Sequence, residues 1–113
     1  METNPFLIAL DLDGTLLKDD KTISDYSKEI IAKAKAAGHI VCIATGRPFR
    51  SSSMYYDELQ LTTPIVNFNG AYVHHPKNDQ WGTYHTTLDL KVVKEIIEVA
   101  EKHNIHNMLA EII

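Results

Sequence analysis

The sequence predicts an α/β protein organised around a parallel sheet, and two apolar runs with a helix between them carry that prediction. Phe6 to Leu10 and Ile40 to Ala44 are apolar without alternation, the pattern of strands buried on both faces in the middle of a sheet. Between them, Asp25 to Ala37 has apolar residues at helical spacing. Strand, helix and strand joined without a long loop form the pattern of a right-handed parallel crossover.

Each element has its own local signals. For the first helix Ser24 is the N-cap and Gly38 lies just past the end. Tyr26, Ile30, Ile31, Ala34 and Ala37 share the face expected to cover the sheet, with Lys28, Glu29, Lys33 and Lys35 largely outside. Pro48 suits the first turn of a second helix that reaches roughly to Leu59, and Pro64 to Phe68 gives a third strand. From Ala71 to His85 the chain reads as a hairpin or two short strands that turn at Pro76-Lys77-Asn78-Asp79. Asp89 then caps a helix in which Leu88 and Val93 can form a hydrophobic staple, with Val93, Ile96, Ile97 and Ala100 on the buried face. Asn104 stops that helix, and Met108 to Ile113 opens another apolar strand.

Composition narrows the classes of function. A chain of 113 residues with 44% hydrophobic content can build one compact domain with a limited core. The net charge of −4, with Lys and Arg scattered, leaves no basic patch for nucleic-acid phosphates. Cys42 is the single cysteine, so no intrachain disulfide can form, and a reducing cytoplasm is the expected setting. Its thiol reads as a small core residue. No apolar stretch approaches the ~20 residues needed to span a bilayer. The first apolar run has no positive charge ahead of it and is broken by Asp11, which does not fit a signal peptide. Neither nucleic acid nor membrane is therefore an expected partner.

Chemistry concentrates where the first strand ends, in Asp11-Leu12-Asp13-Gly14-Thr15. In extended backbone Asp11 and Asp13 point to the same side, Gly14 permits a sharp turn, and the Thr15 hydroxyl can orient a neighbour. Two carboxylates so close repel unless a cation lies between them or one holds a proton. The pair therefore points to a hard metal such as Mg²⁺ or to split acid and nucleophile roles. A polar Asp- and Gly-rich turn is the bland alternative. Other candidates read as structural. His74-His75 is read as loop or hairpin surface, since adjacent strand residues face opposite ways. His103 and His106 flank a helix end, where His meets terminal carbonyls. Lys18, Asp19 and Asp20 read as a solvated flap, Asn69-Gly70 as a turn, and Trp81 and the Tyr55-Tyr56 pair as packing.

Asp11-Leu12-Asp13-Gly14-Thr15-Leu16-Leu17 resembles the first motif of the haloacid dehalogenase superfamily of phosphohydrolases. Ile40-Val41-Cys42-Ile43-Ala44-Thr45-Gly46-Arg47 is similar to its second motif, a buried strand that ends in a phosphate-binding Ser or Thr. The form Ala-Thr-Gly-Arg, with Asn69-Gly70-Ala71 downstream, resembles the Cof-like branch of small-metabolite phosphatases. The resemblance implies a Rossmann-like core with an α/β cap inserted after the third core strand. Residues 1–86 would be the first half of the core, and 87–113 the start of the cap. It further implies that Asp11 is the nucleophile and that Asp13 is the general acid and base. Mg²⁺ would be held by the Asp11 carboxylate and the Asp13 backbone carbonyl. Thr45 and Gly46 would hold phosphate near the start of the following helix, with Arg47 either assisting or serving as a surface ion pair.

The substrate implied is a small phosphorylated metabolite such as a sugar phosphate. A phosphotransferase such as a phosphomutase, or a non-catalytic phosphoacceptor module, stands as the alternative. The family's later Lys motif and second acidic motif are not in this sequence, which implies a piece of a longer protein with weak or no turnover of its own. In the family's strand order the Asp11 strand would then have a free edge, through which the chain could self-associate.

Overall fold

A computed structural model describes residues 4–113; the first three residues of the 1–86 half lie outside the described residues. Strand β1 (Leu7–Leu10) pairs in parallel with β2 (Ile40–Ile43), Leu7 facing Ile40 and Leu10 facing Ile43. Between them runs α1 (Asp25–Ala36), where the Ser24 hydroxyl accepts the Ser27 N–H at 3.1 Å. Beyond its end Gly38 has φ of 92°, a left-handed conformation that glycine takes without steric cost.

After β2 the chain makes one 3-10 turn over Phe49–Ser51, with Pro48 as its cap, before the short α2 (Ser53–Glu58). The expected continuous helix from Pro48 is thus interrupted. Strand β3 (Ile65–Asn67) joins β2 through a parallel bridge between Ala44 and Val66, so the parallel order is β1-β2-β3. On its other edge β3 pairs antiparallel with β4 (Tyr72–His74), which pairs with β5 (Tyr84–His85). The architecture is the mixed α/β one predicted, with a parallel pair and a small antiparallel sheet sharing the region of β3.

The core lies on one face of the strands. Val41, Ile43 and Ile65 are almost free of solvent contact and cluster with Ile31 of α1 and with Tyr55, Tyr56 and Leu59 around α2. The two helices lie side by side, with the Lys35 ammonium donating to the Leu59 and Gln60 carbonyls at 2.9 and 2.6 Å. Lys28 and Glu58 add an ion pair at 3.2 Å.

That placement corrects the expectation of strands buried on both sides. Side chains alternate along a strand, so Ile8 and Leu10 pack on the core while Leu7 is 69% and Ile40 49% exposed. Both helices occupy one face, and among the described residues nothing shields the other. Of the expected buried helix face, Tyr26, Ile30 and Ala37 are exposed, Ala34 is half-buried, and Ile31 is the one buried residue of α1.

Helix α3 (Leu90–Lys102) starts as expected, the Asp89 carboxylate accepting the Lys91 N–H at 2.8 Å, and stops just before Asn104, whose φ is 53°. Its apolar face does not reach a core: Ile96 and Ile97 are both exposed, as is Leu88. Residues 108–113, expected as a strand, have no regular structure, since a strand requires a partner for its backbone groups. No helix among the described residues is long and apolar enough to cross a membrane.

Candidate active site

At the end of β1 the backbone of Asp11 stays extended and its carboxylate caps the turn that follows. Oδ1 accepts the Leu12 N–H at 2.9 Å, and Oδ2 accepts the Thr15 hydroxyl at 3.2 Å. The loose turn over Leu12–Leu16 closes through Leu16 N–H to the Asp11 carbonyl at 3.2 Å and Leu17 N–H to the Leu12 carbonyl at 2.9 Å. Gly14 supplies the φ of 76° that this geometry needs. Leu12 is fully buried between the two aspartates. It anchors the turn, and Asp11 and Asp13 flank it on the exposed side.

The next strand end brings the second half of the site. The Ala44 N–H donates to the Leu10 carbonyl at 2.9 Å, so Asp11 and Thr45 begin adjacent loops. Thr45 is buried; its N–H donates to the Val66 carbonyl at 2.9 Å and its hydroxyl oxygen accepts the Arg47 N–H at 3.0 Å. A Cβ on Gly46 would lie 2.9 Å from Asn69 Oδ1, so a larger residue there would have to push that side chain aside. Arg47 then reaches across to Asp13 with a two-pronged contact, Nε to Oδ2 at 2.6 Å and Nη2 to Oδ1 at 2.8 Å.

Lys21 completes the arrangement, its ammonium 3.0 Å from Asp13 Oδ1. Hydrogen bonds from Arg47 and then Lys21 hold the Asp13 carboxyl well below the usual carboxylate range. Of the two readings the sequence left open for Arg47, the ion pair is the one present here, with Asp13 as its partner. The proximity of Asp11 and Asp13 needs no shared proton, because the chain itself supplies two cations.

Behind the loop sits a buried polar cluster that the sequence reading did not find. Asn67 is fully buried; its Nδ2 donates to the Arg47 carbonyl at 2.9 Å and to Ser52 Oγ at 3.0 Å, and its Oδ1 meets His74 Nε2 at 2.9 Å. A carbonyl can only accept, so the Arg47 contact fixes the amide orientation and places the His74 proton on Nε2. His74 was expected at the surface and is instead buried, stacked on Tyr72 with ring centroids 4.2 Å apart. Burial, with His75 beside it, pushes its pKa down. A polar residue that ends a three-residue strand leaves no periodic signal to mark it as core. Lys21 was hidden differently, inside a run of charged residues that reads as solvent-facing.

The predicted helix start beside Thr45 is absent, because the 3-10 turn intervenes before α2. Phosphate oxygens near Thr45 would thus meet loop N–H groups and Arg47 rather than a helix terminus. For a divalent cation the donor chemistry fits a hard ion. Asp11 makes no ion pair among the described residues, its partners being a neutral N–H and a hydroxyl. Clusters of three or more acidic, His or Cys ligands are absent among the described residues. Mg²⁺ commonly takes one or two carboxylates and fills the rest of its shell with water and substrate phosphate, a demand that Asp11 and the Asp13 carbonyl can meet.

Residues 8–112 match the haloacid dehalogenase-like hydrolase family. The chain is 66% identical over its full length to a 5-amino-6-(5-phospho-D-ribitylamino)uracil phosphatase of Bacillus subtilis, of which it covers 42%. It is 37% identical over 110 residues to a pyridoxal phosphate phosphatase of Escherichia coli, covering 91% of this chain and 38% of that protein. A solved haloacid dehalogenase-like hydrolase from Bacteroides thetaiotaomicron superposes with a TM-score of 0.76 at 28% identity, over 89% of this chain and 39% of that one. The chain thus spans about two fifths of the length of the relatives it matches.

Proposed function

We infer that this chain, which belongs to the haloacid dehalogenase-like hydrolase family, supplies the nucleophile and phosphate-binding half of a phosphatase that acts on small phosphorylated metabolites. The observation that carries the reading is the contact of Arg47 with Asp13. It joins the Asp11–Asp13 turn to the Thr45–Arg47 loop in one site. Relatives named as phosphatases of phosphorylated small molecules support the substrate class. Ala44-Thr45-Gly46-Arg47 and Asn69-Gly70-Ala71 support placement in the Cof-like branch. A division into a core half over 1–86 and the start of a cap over 87–113 agrees with the uncovered apolar face of α3.

On this reading the Asp11 carboxylate, oriented by the Leu12 N–H and the Thr15 hydroxyl, attacks phosphorus, and the bond to the leaving alkoxide breaks as an aspartyl phosphate forms. Asp13, a carboxylate in the free chain that takes up a proton once substrate draws Arg47 away, gives that proton to the leaving oxygen and then takes one back from the water that attacks the intermediate, which releases phosphate and restores the Asp11 carboxylate. The Thr45 hydroxyl, the Gly46 N–H and Arg47 hold the phosphoryl oxygens. Mg²⁺, on Asp11 and the Asp13 carbonyl, would reduce the repulsion between carboxylate and phosphate.

A panel of phosphate esters with Mg²⁺, assayed on this chain and on Asp11→Asn with intact-mass detection of a phosphoryl adduct, tests the assignment. Turnover or adduct in the wild-type chain, lost in D11N, is expected. Either one persisting in D11N removes Asp11 as the nucleophile, and neither appearing in the wild-type chain shows that these residues alone do not catalyse.

A further inference from the structure

Both cations on Asp13 are held from behind by one side chain. Tyr55 of α2 is only 5% exposed, its hydroxyl donates to the Lys21 carbonyl at 2.7 Å, and the Arg47 guanidinium lies over its ring, 5.3 Å from the centroid. We propose that Tyr55 is a positioning residue that sets the Lys21 ammonium and the Arg47 guanidinium on Asp13, and that Lys21 is a second cation of the phosphate site.

The backbone of Lys21 gives the first argument. Its φ of 65° is unusual for a residue with a Cβ, and such a conformation persists where the surroundings over-determine it. Three contacts do so here: Lys21 N–H to the Lys18 carbonyl at 2.9 Å, Lys18 N–H to the Thr22 carbonyl at 2.9 Å, and the Tyr55 hydroxyl. A second argument comes from entropy. A lysine on a free loop loses much rotamer freedom to hold one carboxylate, and such pairs add little. Fixing the backbone beneath it removes the backbone share of the ordering cost, so that only the side chain's share remains.

Arg47 is treated in the same way. Tyr55 carries one face of its guanidinium, and the Ser51 carbonyl accepts from Nη1 at 2.9 Å. Only the remaining edge of the fork is left for Asp13. A merely structural Tyr55 would account for a buried ring. It would not account for a hydroxyl spent on the strained residue of the flap while the ring supports the second cation.

The phosphate role of Lys21 rests on the function proposed above, whereas the positioning role stands on geometry, and the tests separate them. Amide exchange and the Arg47 Nε–Hε resonance are followed by NMR on the 113-residue chain. Tyr55→Phe keeps the ring and loses the hydroxyl. Lys21 amide exchange should speed up about five- to tenfold, corresponding to a local opening weakened by one part-buried hydrogen bond, while the Arg47 resonance stays in place. Tyr55→Leu should in addition shift the Arg47 resonance.

General destabilisation would lower Tm in both variants without dividing the two signals between hydroxyl and ring. Unchanged Lys21 exchange in Y55F overturns the positioning role, and Y55F, which keeps the packing, decides if Y55L does not fold. Titration with inorganic phosphate in Mg²⁺ forms the second arm. Lys21→Met should weaken binding about two- to fivefold, the scale of one partly exposed charge pair. Unchanged affinity removes Lys21 from the phosphate site. A wild-type chain that binds no phosphate overturns the site reading itself and leaves the NMR result to decide Tyr55.

Discussion

Asn67 is the side chain whose removal best tests the architecture behind the site. Truncation to Ala deletes three hydrogen bonds in a fully buried place, at 2.9, 3.0 and 2.9 Å. At about 1 kcal/mol each the loss would be about 3 kcal/mol. Two of the stranded partners keep other contacts, the Arg47 carbonyl with the Phe68 N–H at 3.3 Å and Ser52 Oγ with the Pro48 carbonyl at 3.0 Å. The expected cost is therefore about 2–3 kcal/mol. Urea unfolding should show a lower midpoint at unchanged slope, and Tm should fall by about 10–20 °C for a chain of this size. Asn67→Asp sharpens the test. Its Oδ1 still accepts from His74, but its second oxygen faces the Arg47 carbonyl, which has no proton to give. At neutral pH Asp should therefore be no better than Ala. A cycle with His74→Ala should return a coupling of about 1 kcal/mol. A loss under about 1 kcal/mol for Asn67→Ala, or a clear advantage of Asp over Ala, refutes the cluster as described.

Three further outcomes follow from the same geometry. Lys35→Met removes the ammonium that closes two carbonyls at the end of α2 and should cost about 1 kcal/mol in denaturant unfolding; no change would mean that water satisfies those carbonyls equally well. His74 has its pKa lowered by burial and by His75, so the native state resists its protonation. The associated stability is complete above the ordinary His value of about 6.5 and is lost as pH falls through the folded value. His74→Gln should flatten that part of the stability profile, and an unaltered slope would assign it to other groups. Leu7 and Ile40 lie exposed on the uncovered side of the first two strands, beside the free edge that β1 has among the described residues. Sedimentation should show concentration-dependent association that Leu7→Lys reduces, and a wild-type chain that stays monomeric throughout would rule that surface out as a self-association site.

What could be read from the residues divides along a physical line. Ser24, Gly38, Asp89 and Asn104 mark helix ends within a few residues of themselves, so the limits of α1 and α3 were legible. The parallel pairing of β1 with β2 was legible too, since a crossover helix leaves little choice of hand or direction. Which strand face would be buried was not. Leu7 and Ile8 are equally apolar, and only the landing of α1 and α2 on one side distinguishes them. The site followed the same division. Asp11, Asp13, Thr45, Gly46 and Arg47 sit in contiguous motifs, whereas Lys21, Tyr55 and Asn67 reach the site through backbone turns and packing that no local spacing encodes.

The two aspartates look equivalent in sequence and differ in what surrounds them. Asp13 receives a guanidinium and an ammonium, while Asp11 receives only a neutral N–H and a hydroxyl. Environments that set two carboxylates apart are what allow a site to assign them different roles. The compensation of Asp13 also depends on occupancy. A phosphoryl group beside Thr45 and Gly46 would compete with Asp13 for the same fork of Arg47, because phosphate and carboxylate suit its geometry equally. An Arg47 turned toward the phosphate would leave Asp13 with Lys21 alone, and the affinity of Asp13 for a proton would rise. In the free chain Asp13 is held as a carboxylate. On this reading it becomes able to carry the leaving group's proton only when there is a phosphate ester to cleave.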